Sequence, residues 1–193
     1  DRAQLLAGPI SAAMAVYDIG TSNRQGMFLA NVGHETMKLL RLREIWGPTI
    51  AQSGYEGRAD LGNVQPGDGK RFMGRGILQT TGRANYRALT RRLRARGIQC
   101  PDFEAEPEQL AQPRWACLAG ADYVGMRNLN AKADAGDFLG YCIGINGKNK
   151  ATGLPNGWRE RTDLWAAAQK ALAVVTDAQA DGADSMWGNE VRR

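Results

Sequence analysis

The sequence predicts a mainly α-helical fold with a small loop-rich lobe flanking a cleft. Two observations carry this expectation. Apolar residues recur at helical spacing near residues 9–17, 22–37, 81–93, 113–126 and 158–175. Between the second and third of these stretches lies a polar segment, 52–75, punctuated by Gly54, Gly57, Gly62, Gly67, Gly69 and Gly74, with Asn63, Pro66 and Asp68 among them. Loops of that length inside a compact domain are usually functional. With 193 residues, 43% of them hydrophobic, the chain has material for one real core. One folded unit is expected over residues 1–176. A weakly ordered tail is expected over 177–193, which is rich in Asp, Gly, Ala and Asn, with Trp187 the exception.

In chain order, Pro9 falls in the first turn of a helix through Tyr17, with Ile10 and Met14 on its apolar face. The loop from Asp18 to Asn23 ends in capping residues. A second helix therefore starts at Ser22 or Asn23 and carries Met27, Phe28, Leu29, Val32 and Met37. Glu35 arrives at the end of that apolar stripe, which is not where a solvated glutamate normally falls. Glu44 follows nine residues later. On an unbroken helix that spacing is about 900° of rotation and ~13 Å of rise, putting the two carboxylates on opposite faces. They can share a cleft only if the helix ends between them, and nothing from Lys38 to Arg43 forces such a break. Gly47-Pro48 ends any helix through Ile45 and Trp46.

Beyond the glycine-rich lobe, Gly74-Arg75-Gly76 lets backbone approach something closely, and Ile77 to Thr81 reads as a short extended piece. Thr81 or Gly82 opens a helix through Tyr86, Leu89 and Leu93, which Gly97 stops. Arg87, Arg91, Arg92, Arg94 and Arg96 make it strongly basic: a solvated face first, a polyanion contact second. Glu108 to Leu110, then Pro113 to Met126, give a buried alanine-rich helix with Trp115, Leu118, Tyr123 and Val124. Asn146-Gly147-Lys148-Asn149-Lys150 is a turn signature. Trp158 to Val175 is the last clear helix, carrying Leu164, Trp165, Ala168 and Leu172.

The bulk chemistry narrows the function. A net charge of +5 favours an anionic partner, whether nucleic acid, a membrane surface or an acidic polymer. Cys100, Cys117 and Cys142 lie far apart without metal-ligand spacing, and three buried thiols are expected ahead of one disulfide. With a single histidine, no metal site and no cofactor are expected. No run approaches the ~18 apolar residues of a membrane helix. The chain opens on Asp1 rather than methionine, which leaves a leader sequence open. Two glutamates and a strip of amide and hydroxyl side chains suit a carbohydrate-cutting cleft. In an inverting glycosidase, one carboxylic acid protonates the leaving oxygen. A second carboxylate, about 6.5–9.5 Å away, activates water on the other face. Glu35, among apolar neighbours, would stay protonated as the acid, while Glu44, near Arg41 and Arg43, would stay ionised as the base.

The wider residue set is more specific than that spacing. His34-Glu35-Thr36, then Leu42-Arg43-Glu44, Gly67-Asp68-Gly69 and the strip Gly74-Arg75-Gly76-Ile77-Leu78-Gln79-Thr80-Thr81-Gly82-Arg83-Ala84-Asn85-Tyr86 closely resemble the family 19 chitinase-like hydrolases, most of all their phage endolysin branch. Ile145-Asn146-Gly147 and Glu160-Arg161 with Trp165 look like later elements of the same family, so the match runs in order over roughly residues 9–172. The resemblance implies a lysozyme-like helical domain that cuts the β-1,4 glycan backbone of chitin or peptidoglycan by inversion. It implies Glu35 as general acid and Glu44 as base. Gln79, Thr81, Asn85, Tyr86 and Asn146 would meet sugar or the attacking water, Arg161 would brace the carboxylates, and His34 and Arg75 would have supporting roles. Two positions depart from the family pattern: Met37-Lys38 replaces glycine or other small residues, and Ile45-Trp46 replaces an aromatic residue or asparagine.

The expected partner is bacterial peptidoglycan, met by a monomer at the host cell wall or periplasm, with a virion-associated role open. No nucleic acid is expected. Alternatives are a lytic transglycosylase using Glu35 alone, a murein endopeptidase, or a non-catalytic wall-binding or virion protein. His34 reads as a hydrogen-bonder beside Glu35, Asp68 as a turn residue, and Trp46 as a candidate cleft wall.

Overall fold

The helical-period stretches fold as helices. The computed structural model describes residues 2–187. Its long helices are α1 (Arg2–Val16), α2 (Ser22–Glu35), α5 (Arg83–Ala95), α6 (Pro113–Met126) and α9 (Trp158–Trp187). Shorter helices α3 (Ile50–Ser53) and α4 (Asp68–Arg71) sit in the glycine-rich lobe, and α7 (Leu129–Asp134) and α8 (Phe138–Asn146) follow α6. Extended pairing among the described residues is confined to the antiparallel bridges Arg43–Arg75 and Arg75–Thr80.

Two helix pairs build the body: α2 against α9, and α1 against α6. The first pair is close because α2 offers small residues one above the other. A Cβ built on Gly26 would lie 3.5 Å from the Trp165 ring, and one on Gly33 would lie 3.3 Å from Leu164. Trp165 in turn stacks on Phe138 of α8, with ring centres 4.3 Å apart. Leu6, Phe28, Leu89, Val124 and Tyr141 are buried in one continuous core that spans α1, α2, α5, α6 and α8.

Several boundaries differ from expectation. α1 begins at Arg2, with Pro9 inside it. Burial of Leu6, a turn before the proline, favours helix there despite the hydrogen bond that proline cannot make. α7 was not foreseen; Leu129 and Ala133, four apart, are buried along its inner face. α9 runs past Val175 to Trp187, into the expected 177–193 tail. Residues 188–193 of that expected tail lie outside the described residues.

The break between Glu35 and Glu44 is real, and it is made by tertiary structure. α2 stops at Glu35, leaving Met37 beyond its end. The Thr36 hydroxyl donates to Val32 O at 2.6 Å and accepts from Leu39 N at 2.8 Å, closing the helix on itself. Met37, Lys38 and Leu39 then adopt φ of 51°, 58° and 69°, three left-handed residues in succession. Each costs roughly 1–2 kcal/mol for a residue with a Cβ.

The loop-rich lobe has little apolar interior and is held by side chains bonded to backbone. The Asn63 amide donates to Tyr55 O at 3.0 Å and accepts from Arg83 N at 2.9 Å. Glu56 accepts from Gly67 N at 2.6 Å and Gly69 N at 2.8 Å. Buried Asp68 accepts from Gln65 N at 3.0 Å, as a turn residue should, and also pairs with Arg83. The basic helix α5 is more than a solvated face. Arg83 and Arg87 both bind Glu104, and Arg92 binds Asp122. Hydrogen bonds from Arg87, then Arg83, hold the Glu104 carboxyl down at about 2, against an ordinary 4.5.

Two predictions follow from this architecture. Lys38→Gly relieves one left-handed residue and raises stability by about 1 kcal/mol, or roughly 2–4 °C in Tm, in a thermal melt; an unchanged or lower Tm would show that the turn is unstrained. The folded value of Glu104 lies below its unfolded one. Its contribution is therefore complete above about pH 4.5 and is lost as pH falls toward about 2. Urea denaturation across that window should show a shallower loss for Glu104→Gln than for wild type.

Candidate active site

Glu35 ends α2 with its side chain partly exposed, and Arg161 reaches it from α9. Arg161 is fully buried. Its Nη2 donates to Glu35 Oε1, Nη1 to Asn31 Oδ1 at 2.5 Å, and Nε to Asn156 O at 2.9 Å. Asn31 lies one turn before Glu35 and is itself fixed by donating to Met27 O at 2.8 Å. The apolar pocket expected around Glu35 is therefore corrected: its immediate partner is a buried guanidinium. His34 is not bonded to Glu35. Its Nδ1 meets Glu160 Oε2 at 2.7 Å, and its ring lies so close to Gly157 that a Cβ there would come within 2.0 Å. His34 thus seats the loop that leads into α9.

Glu44 is fixed from the other side, in the lobe. Its backbone N donates to Gly74 O at 2.9 Å. Its Oε2 accepts from Gly74 N at 3.1 Å, and its Oε1 accepts from Gln52 Nε2 at 2.9 Å and the Tyr55 hydroxyl at 3.4 Å. Gln52 is held by a capping box: its Oε1 accepts from Thr49 N at 2.8 Å and Gly47 N at 3.0 Å. Burial first, and the Glu44 charge second, push the Tyr55 hydroxyl up, so it remains a proton-bearing donor. Trp46 leans on Tyr55, with ring centres 6.4 Å apart.

The strip from Gly74 to Asn85 wraps onto Glu44. A Cβ on Gly74 would sit 2.5 Å from Gln79 Oε1 and 3.3 Å from both Glu44 Oε2 and Thr81 Oγ1, so three polar groups surround one glycine. Residues 75–80 form a tight turn closed by Arg75–Thr80 hydrogen bonds, not the expected extended piece. Within it Gln79 takes φ 53°, its Nε2 donating to Gly76 O at 3.0 Å, while the Thr81 hydroxyl donates to Gln79 O at 3.1 Å. Asn85 is exposed one turn into α5 and donates to Thr81 O at 2.7 Å.

Gln79, Thr81 and Asn85 line one groove of about 260 Å³ with Tyr123. The Tyr123 hydroxyl reaches Gly144 O at 3.3 Å and Ile145 O at 3.4 Å, tying the groove wall to the end of α8, where Asn146 is exposed. Tyr86 is a correction. It is fully buried, its hydroxyl donating to Met73 O at 2.7 Å and accepting from Arg75 Nη1 at 3.0 Å, and burial pushes it up to about 12. It braces the strip from inside and cannot meet substrate.

Arg75 is buried as well and binds Glu108, which also binds Arg43 at 3.2 Å. Burial pushes the Glu108 carboxyl up, but these two guanidiniums outweigh it and hold it below its ordinary value. Asn31, Gln52, Tyr55 and Glu108 were not singled out from sequence. Thr49-x-x-Gln52 is a legible capping box, and Asn31 precedes Glu35 by four residues, on the same helix face. Glu108 carries no local signal. Among the described residues, no group of three or more His, Cys, Asp or Glu side chains could hold a metal ion, and no helix is long and apolar enough to cross a membrane.

This arrangement is the lysozyme-like helical fold of the family 19 chitinases. Chitinase C from Streptomyces griseus HUT6037 matches with a TM-score of 0.66 at 23% identity, covering 86% of this chain and 69% of that one. A chitinase C mutant matches with the same TM-score of 0.66, at 22% identity. A bacterial family 19 chitinase matches with a TM-score of 0.64 at 24% identity, covering 84% of each chain. No family model matches the sequence.

Replacing Arg161 by methionine leaves Glu35, Asn31 and the Asn156 carbonyl without their shared donor. It should cost about 3 kcal/mol in urea denaturation. A loss below about 1 kcal/mol would show that the pair does not hold α9 in place.

Proposed function

We propose that this chain is a glycoside hydrolase that cuts the β-1,4 glycan backbone of bacterial peptidoglycan by inversion, with Glu35 as general acid and Glu44 as general base. The observation that carries this reading is the separate anchoring of the two glutamates. Glu35 stands at a helix end on Arg161; Glu44 stands in the lobe on Gln52 and Gly74, ringed by Gln79 and Thr81. Arg161 occupies Glu35 Oε1, so proton delivery to the leaving oxygen falls to Oε2. The guanidinium then stabilises the carboxylate left behind. Glu44, with donors on both oxygens, takes a proton from water held near Thr81 and Gln79. Gln79, Asn85 and Asn146 offer amides to sugar hydroxyls and N-acetyl groups. The solved neighbours are named as chitinases, and chitin shares the β-1,4 amino-sugar backbone.

The positive net charge supports the acidic wall polymer as substrate. The biological role we propose is that of a phage lysin, acting as a monomer at the host wall or periplasm, with residues 1–176 as the catalytic unit. The firm seating of Glu44 favours two-carboxylate hydrolysis over a one-glutamate transglycosylase.

Mass spectrometry of fragments released from purified peptidoglycan tests this reading. Wild type should leave new reducing-end sugars, and Glu35→Gln and Glu44→Gln should each lower the rate by about 10²–10⁴-fold. Anhydro-sugar ends with an active Glu44→Gln variant would establish transglycosylation instead. New free amino groups on intact glycan strands would sink the reading in favour of a peptidase.

A further inference from the structure

The groove that carries Gln79, Thr81 and Asn85 does not end at them. It continues past Tyr123 to Arg92, Asp122, Met126 and Arg127. A second depression, of about 360 Å³, shares Arg92, Asp122 and Met126 with it and adds Tyr17 and Arg96. The two form one trough leading away from the sugar-binding side chains, with three guanidiniums set against one carboxylate.

That carboxylate is already matched. Asp122 is buried and accepts from Arg92 at 2.6 Å and from the Tyr17 hydroxyl at 2.9 Å. Arg127 and Arg96 have no acidic partner among the described residues, whereas Arg83, Arg87 and Arg92 of the neighbouring helix do. Each of the two lies over an aromatic ring instead: Arg127 is 5.3 Å from the centre of Tyr123, and Arg96 is 4.4 Å from that of Tyr17. A ring beneath one face restrains a guanidinium while leaving its N–H edge open to an oxyanion in paired geometry. The trough is thus one of the places where α5 and α6 leave arginines without an acidic partner among the described residues, and it lies beside the groove proposed for glycan.

We propose that this trough binds carboxylates of the stem peptide carried by the glycan strand seated on Gln79, Thr81 and Asn85, with Arg127 the contact nearest the sugars. This rests on the peptidoglycan reading above. Arg127 is then a specificity-determining residue: peptide-bearing strands fill the trough, and a neutral amino-sugar polymer has nothing to place there.

The test compares kcat/KM of the full chain and its Arg127→Gln and Arg96→Gln variants on three substrates. These are glycan strands with intact stem peptides, the same strands stripped of peptide by an amidase, and strands whose stem carboxylates have been amidated. Arg127→Gln should lower the ratio of peptide-bearing to stripped turnover about fivefold, through KM, and Arg96→Gln by less. Amidation should impose the same loss on wild type, and ~0.5 M salt should shrink the difference. Equal ratios for wild type and Arg127→Gln, with both strands cut, would overturn the trough and leave the glycosidase reading standing. Salt-sensitive binding of a DNA oligonucleotide, lost in Arg127→Gln while the ratios stay equal, would reassign the trough to nucleic acid. Wild type cutting neither strand would overturn both readings together.

Discussion

A buried positive charge needs a partner, and the placing of Arg161 organises this protein. Its guanidinium is fully buried and has three acceptors: the Glu35 carboxylate, the Asn31 amide and the Asn156 carbonyl. Removing any partner from such a charge is expensive even where the intact pair adds little net stability. α9 can supply Arg161 only if it lies tightly along α2, and the missing side chains at Gly26 and Gly33 let Trp165 and Leu164 come that close. One ion pair between positions 126 residues apart therefore fixes the carboxylate and closes the early part of the chain onto the late part.

The lobe that carries Glu44 follows a different rule. The lobe around Glu44 buries few apolar groups and relies on side chains that satisfy backbone donors: Gln52, Asn63, Glu56 and Asp68. Glu108 gathers Arg43 and Arg75, whose backbones are themselves paired, and so ties Glu44 to the Gly74 strip. Hydrogen bonds of this kind set geometry sharply but contribute only about 1 kcal/mol each. The lobe gains position rather than bulk stability from them.

The strained turn between the two glutamates joins these designs. Met37, Lys38 and Leu39 occupy the left-handed region that glycine would fill without cost, and the first two stand where the sequence departs from the small residues of the family it resembles. The turn is held by the Thr36 hydroxyl and by Lys38 N donating to Gly33 O at 2.6 Å, while packing of α2 on α9 holds the helix end itself. Local preference loses there to tertiary constraint.

The sequence by itself determined the helical body, the polar lobe and the order of the polar strip. Helical periodicity and glycine spacing are local properties, and they are written in neighbouring residues. It also marked Glu35 as a carboxylate out of place on an apolar stripe, and Gly74 as a point of close approach. Tertiary structure alone decided the rest. Whether α2 broke after Glu35 depended on backbone energies that Met37 and Lys38 argue against, and packing overruled them. Tyr86 lies in the same strip as Asn85, yet one faces the core and the other solvent, because the helix that starts at Arg83 turns the first inward. Glu108 and Gln52 act on residues far from them in sequence or across a turn, and such pairings exist only once the chain has closed. The charges of α5 show the same division: composition counted the arginines, and only the fold decided which of them Asp68, Glu104 and Asp122 would neutralise.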